Sequence, residues 1–334
     1  MKSLYFLIFL AMGISISSCT VPTDKGSKMV VLMDSDANNE LDDQHALAYL
    51  FFNGNTFEVA GVTVNTTFNG GDINDQYTEA KRVMQLCNVF ETIPLFKGAN
   101  GSFMEIRPFL NQDQFDGHQA VNFIIAQAHK ERKEKLILLP VGKLTNIALA
   151  LDKDSSIASK IRIVWLGSNY PKKGEYNLEN DMEAVNFVLS KEVSFEMVTV
   201  RSGENSGSGH VSVGREFITS AMPGLGPYVS PVEGRHGGSF SNFGDYSVNL
   251  FEHCDYYGDP PSRSLFDMVA VAILKNPSFG ESVRIPAPVL SNGEWVEQPD
   301  NKRMITIWEN FDKDAILNDF QNSMKNFVIT NKEK

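Results

Sequence analysis

The stretch Met29–Phe52, MVVLMDSDANNELDDQHALAYLFF, sets the pattern for the whole chain. Met29 to Met33 is an apolar run too short for a helix and reads as a buried strand. Asp42 to Phe52 reads as a helix whose opening pair, Asp42 and Asp43, falls where the positive end of the helix dipole favours carboxylates. Working outward, Phe57 to Val64, Ile93 to Phe96, Leu136 to Pro140, Ile161 to Leu166, Phe195 to Val200 and Arg303 to Ile307 are predicted strands. Helices are predicted near 74–88, 118–131, 143–151, 180–190, 264–274 and 314–327, with one more near 214–222. This alternation predicts an α/β fold: an open, mostly parallel sheet flanked by helices, in a single domain over 29–334.

Between Arg201 and Ser262 the alternation fails, and the segment is rich in Gly, Ser, Pro, His and Tyr. Long stretches of this kind usually serve as lids or binding loops. At the other end, Lys2, the apolar run Leu4 to Ile16 and Ser17-Ser18 before Cys19 read as an export signal over residues 1–18. Cys19 is then expected to be the lipidated first residue of the mature chain, with 19–28 as a polar tether, the alternative being a plain signal peptide cut nearby. The expected location is the bacterial periplasm or cell envelope, with membrane contact only through that anchor. A net charge of −11 argues against nucleic acid as the main partner, because a negative surface repels phosphates. Cys87 and Cys254 lie in no metal-type or redox-type spacing and read as two buried thiols.

Asp34, Asp36, Asp42 and Asp43 place four carboxylates within ten residues, and they repel one another unless a cation or hydrogen bonds compensate. Their loop follows a strand of a parallel sheet, the end at which such sheets bind ligands. Oxygen donors favour calcium or magnesium over zinc. The spacing does not make an EF-hand, because Asn39 stands at the turn glycine and His45 at the twelfth position. A phosphatase-type D-x-D strand end is not followed by an Asp-Asp pair at a helix start. Helix capping accounts for Asp42 or Asp43 but not for all four acids.

The loop resembles that of the inosine-uridine nucleoside hydrolases, whose first strand ends in D-x-D-P-G-x-D-D. Here Ala37-Asn38-Asn39-Glu40 replaces the Pro-Gly and adds two residues. Further segments follow in the family's order. Val62 to Asn69 resembles the second-strand stretch ending in an active-site Asn, and Leu138 to Ala148, LLPVGKLTNIA, resembles the block VPTGPLTNIA. Glu175-Tyr176-Asn177 resembles E-F-N, and Leu265-Phe266-Asp267 resembles L-H-D. The resemblance implies a Rossmann-like nucleoside hydrolase fold, with calcium held by Asp36, Asp43, the backbone carbonyl of Val141 and Asp267. It implies Asp42 and Asn177 on the ribose 2′ and 3′ hydroxyls, Glu175 and Asn169 on the 5′ hydroxyl, and Asn69 near the reacting carbon. The implied substrate is a small-molecule nucleoside, hydrolysed to ribose and free base by a metal-bound water with Asp36 as general base. A homodimer or tetramer would be in keeping with the family.

One departure bears on the leaving group. Many members carry a His immediately before the last metal Asp, where it helps protonate the departing base, and Phe266 cannot transfer a proton. Candidate acids then come from the irregular segment: His236, His253, Tyr256 and Tyr257, with His210 more remote. Phe266 is a candidate to stack on the base instead. Two other readings stay open: hydrolysis of a different N-ribosyl compound, and a lipoprotein that binds ribose or nucleoside with calcium but does not turn it over.

Overall fold

The computed structural model describes residues 27–332. Eight strands form one sheet: β1 (Met29–Ser35), β2 (Phe57–Val64), β3 (Leu95–Lys97), β4 (Leu136–Pro140), β5 (Ile161–Leu166), β6 (Ser194–Val198), β7 (Glu281–Pro286) and β8 (Met304–Glu309). Their spatial order is β7-β8-β6-β5-β4-β1-β2-β3, and every neighbouring pair is parallel except β7 with β8. From β1 the chain runs outward through β2 to β3, then returns to place β4 on the opposite side of β1. The order therefore reverses between β1 and β4, and at such a switch point the loops beyond the strands diverge to leave a crevice.

Both faces of the sheet are covered, which is why its inner strands read as nearly continuous apolar runs. Side chains alternate across β1. Val31 and Met33 join a core built with the helices Asp42–Phe51, Ile73–Leu86, Phe266–Lys275 and Lys313–Lys325, whereas Leu32 joins one built with His118–His129, Thr145–Lys153 and Met182–Leu189. The alternation continues past the apolar run. Asp34 turns toward the helix Thr145–Lys153, and Ser35 toward the helix Asp42–Phe51.

The predicted strands and helices are present, with ends shifted by a few residues. Two elements differ from expectation. Strand β7, ESVRIP, is largely exposed and antiparallel at the sheet edge, so it shows no apolar run. The helix Phe243–Glu252 lies inside the segment expected to be irregular. Asn242 caps it by accepting from the Asp245 amide at 2.8 Å, and Phe243, Tyr246, Leu250 and Phe251 form its buried face. Cys87 is buried and Cys254 half-buried, and both are free thiols. The export signal and Cys19 lie outside the described residues.

Candidate active site

Beyond the carboxyl ends of β1, β4, β5 and β6 opens a cavity of about 240 Å³. Its walls include Asp36, Asn39, Glu40, Asp42, Asp43, Asn69, Val141, Glu175, Tyr176, Asn177, Ser202, Phe266 and Asp267. The helices Asp42–Phe51 and Phe266–Lys275 are buried along almost their whole length and pack together. Their first turns bring Asp42, Asp43 and Asp267 to one point, where three carboxylate oxygens lie within 4.8 Å of one another. The positive ends of two helix dipoles favour negative charge there.

Burial pushes these acids upward: Asp42 to about 7, and Asp43 and Asp267 well above the ordinary carboxylate range, each raised further by its acidic neighbours. The Ser35 hydroxyl donates to Asp43 at 2.6 Å and offsets part of this. Among the described residues no lysine or arginine forms an ion pair with Asp36, Asp42, Asp43 or Asp267. A divalent cation fits the cluster, since the donors are hard oxygens whose spread one ion with oxygen contacts of about 2.3–2.6 Å can bridge.

Asp36 stands on the cavity wall, outside that three-oxygen cluster. Thr67 donates to its Oδ2 at 2.6 Å. Burial raises its pKa to about 6, against the pull of Thr67 and of the nearby Lys143 ammonium. Gly142 leaves it room, because a Cβ at that position would lie 2.7 Å from Asp36 Oδ1.

Asp34 has a different task. It is fully buried and accepts from Thr63 Oγ1 at 2.6 Å and Asn146 Nδ2 at 2.7 Å on one oxygen, and from Asn65 Nδ2 at 2.9 Å on the other. Its backbone carbonyl accepts from the Val141 amide at 2.8 Å. Asp34 thus ties β2 and the helix Thr145–Lys153 to β1 directly beneath the cavity.

The loop after β5 supplies the opposite wall. Glu175 adopts φ 134°, a conformation that favours glycine, and its carboxylate accepts the backbone amides of Ser168 (2.6 Å), Asn177 (2.9 Å) and Leu178 (3.0 Å). Such a backbone costs about 1–3 kcal/mol and persists only where its surroundings enforce it. Burial lifts the Glu175 carboxyl to about 7 in spite of those three donors. Asn177 Nδ2 donates to the Val141 carbonyl at 2.8 Å and to the Leu166 carbonyl at 3.2 Å, which leaves its Oδ1 as an acceptor. The Tyr176 hydroxyl accepts from the Asn69 amide at 2.8 Å and donates to Asn39 Oδ1 at 3.3 Å.

The structure therefore brings Asp36, Asp42, Asp43, Asn69, Val141, Glu175, Asn177, Phe266 and Asp267 into one cavity. Asn169 is not on its wall; Asn169 Oδ1 accepts from the Ser202 amide at 3.0 Å, and Ser202 faces the cavity instead. None of the candidate acids lines it either. His236, His253 and Tyr257 line a neighbouring cavity of about 190 Å³, where the two imidazoles stack 4.6 Å apart. Tyr256 lies in neither, and its hydroxyl donates to the Phe251 carbonyl at 3.0 Å. Sequence reasoning missed Ser202, Asn39, Glu40 and Tyr176 as wall residues, and Thr67 as the donor that holds Asp36. Only Tyr176 had a signal, its place within Glu175-Tyr176-Asn177.

Comparison with known proteins places the fold and the family. The Inosine-uridine preferring nucleoside hydrolase of Crithidia fasciculata is 23% identical over 205 residues, which span 59% of this chain and 59% of that protein. A solved Inosine-Guanosine Nucleoside Hydrolase superposes with a TM-score of 0.69 at 16% identity, covering 90% of this chain and 100% of the other. The Purine-Preferring Ribonucleoside Hydrolase from Gardnerella vaginalis superposes at 0.65 and 18% identity, covering 88% and 98%. The family model described as Inosine-uridine preferring nucleoside hydrolase matches residues 31–318, and the chain belongs to that family.

Proposed function

We propose that the chain is a calcium-dependent hydrolase of the N-glycosidic bond of ribonucleosides. The observation that carries this reading is the meeting, in one cavity, of the buried Asp42–Asp43–Asp267 cluster with the carboxylate of Asp36 and the amide of Asn177. Calcium held by that cluster beside the Val141 carbonyl, a set that takes Asp42 where the family resemblance implied Asp36, would offset the carboxylates, grip vicinal hydroxyls and polarise water. The chain's own groups do the rest. Asp36, with Oδ2 engaged by Thr67, keeps Oδ1 to accept a proton from an attacking water. Asn177 Oδ1 accepts from a sugar hydroxyl, because its Nδ2 is committed to two carbonyls. Bond breaking builds positive charge on the ribosyl carbon, which the surrounding carboxylates stabilise. Phe266 offers its ring to the base. Of the groups facing the cavity, the Tyr176 hydroxyl and the Glu175 carboxyl carry protons that His236, His253, Tyr256 and Tyr257 are not placed to deliver. The signal-like residues 1–18 and Cys19 support export and lipid anchoring of the mature chain.

The test is release of free base from a panel of ribonucleosides by the mature protein, with and without a calcium chelator. Release that the chelator abolishes and that Asp36→Asn eliminates is the expected result. Calcium-dependent nucleoside binding with no base released at high protein concentration would replace hydrolysis with a binding role.

A further inference from the structure

The two residues by which the acidic loop exceeds the usual family pattern belong to a stretch, Ala37 to Glu40, whose end is clamped by two arginines of the neighbouring cavity. Arg235 Nη1 donates to the Glu40 carbonyl at 3.0 Å, with Nη2 3.5 Å from the Asn39 carbonyl. Arg263 pairs through its guanidinium with the Glu40 carboxylate and is itself buried, its side chain only 8% exposed. Arg263 sits in the short strand Arg263–Ser264, pinned to Ser212–Val213, a few residues before Asp267. Asn39 and Glu40 line both the 240 Å³ catalytic cavity and the 190 Å³ cavity that holds the stacked His236 and His253. They are the wall between the two.

Either cavity alone falls short of the range of about 300–1,000 Å³ usual for small-molecule sites, whereas the two joined would lie inside it. We propose that the Glu40–Arg263 ion pair is a specificity partition: it closes the catalytic cavity against its neighbour and so selects compact leaving bases over bases carrying a bulky substituent. Glu40 is the partition itself. Arg263 acts through Glu40 and is a positioning residue. Opening the wall joins the catalytic cavity to the surface-exposed pair His236 and His253, and an aromatic substituent can stack on the outer face of either imidazole. The proposal rests on the nucleoside-hydrolase reading for its substrate class.

The experiment compares adenosine with N6-benzyladenosine, both by affinity in calcium and by base release, for the wild type, Glu40→Ala, Arg263→Met and Arg263→Lys. Selectivity for a pocket-filling group commonly changes by about tenfold or more when a wall is removed. Glu40→Ala is expected to raise the benzyladenosine-to-adenosine ratio by that amount, Arg263→Met to move it the same way, and Arg263→Lys, which keeps the charge, to hold it near the wild type. Glu40 is partly exposed, so its variant remains informative if Arg263→Met does not fold. An unchanged ratio in Glu40→Ala overturns the partition, whatever the hydrolytic rate. A shift in Glu40→Ala that a folded Arg263→Met does not share also overturns it, since Glu40 would then act by touching substrate. Ratios of affinity that shift as expected while no nucleoside is cleaved uphold the partition and remove the hydrolase reading.

Discussion

Asp34 offers the sharpest separation of charge from hydrogen bonding in this molecule. Replacing it with alanine strands three buried donors: Thr63 Oγ1, Asn65 Nδ2 and Asn146 Nδ2. A buried donor without an acceptor costs about 1–3 kcal/mol. Asn146 keeps a second acceptor in the Val64 carbonyl at 3.2 Å, so its share falls at the low end. Asp34→Ala should then cost about 3–6 kcal/mol, a large part of an ordinary domain stability of about 5–15 kcal/mol. Asp34→Asn should behave differently. Its Oδ1 still accepts from both Thr63 and Asn146, and only the contact with Asn65 becomes donor against donor. The buried Oδ1 of Asn65 has no partner, so turning that amide over restores a hydrogen bond and leaves one unpartnered atom as before, Nδ2 now taking the place of Oδ1. The substitution also removes a carboxylate that burial has already lifted to about 6. Its cost should stay below about 1 kcal/mol. Urea unfolding in chelator reads the difference, with Asp34→Ala lowering the midpoint by about 1–2 M at unchanged slope and Asp34→Asn leaving it nearly in place. Equal losses in the two variants would refute the reasoning, as would an alanine variant within about 1 kcal/mol of the wild type.

His45 is buried and neutral, with Nδ1 donating to the Leu41 carbonyl at 2.6 Å and Nε2 accepting from Ser247 at 2.7 Å, and burial lowers its pKa to about 4. The unfolded imidazole takes up its proton below about 6.5 while the folded one does not until about 4, so acid favours unfolding; the wild type should lose about 3 kcal/mol relative to His45→Gln between those pH values, measured by denaturation at each pH. Asp267→Asn should raise the melting temperature in chelator near neutral pH, by relieving repulsion from Asp42 and Asp43, and should lack the stabilisation by calcium expected of the wild type, about 2.7 kcal/mol at a hundred times Kd. A calorimetric scan in which calcium still stabilises this variant would count against the cluster as the cation site. Gly142→Ala should lower kcat/KM for base release by about a hundredfold or more through displacement of Asp36, with far-UV circular dichroism unchanged.

The parallel sheet was legible because its inner strands are buried on both faces and leave contiguous apolar runs such as Leu136–Pro140 and residues 163–166. Strand β7 escaped because an exposed edge strand has no such requirement. The helix Phe243–Glu252 did carry a signal, Asn242 with Asp245 three residues on and apolar residues at helical spacing, but its Gly- and Ser-rich flanks masked it. Within the site, Asp42 and Asp43 were readable as chemistry because four acids crowd one loop and helix capping accounts for only one of them, whereas Asp267 was legible only through the resemblance of Leu265-Phe266-Asp267 to L-H-D. The separate employment of Asp34 was not readable. It follows from strand alternation, which sends Asp34 and Ser35 to opposite faces, and from partners far along the chain at Thr63 and Asn146. Nor could the Glu40–Arg263 pair be foreseen, because its two residues meet only after the segment between Arg201 and Ser262 has folded back.

The acid cluster joins the start of the second element of the chain to a helix near its carboxyl end. Contacts of such long sequence separation must offset the entropy of closing a very long loop, so they form late relative to local turns and helices. During synthesis Asp42 and Asp43 emerge well before Asp267, and the complete cluster exists only once the helix Phe266–Lys275 has docked against Asp42–Phe51. A cation that requires all three acids is therefore selective for finished molecules. Truncated or half-folded chains would gain nothing from it, which makes retention of the ion a readout of whether maturation has run to completion.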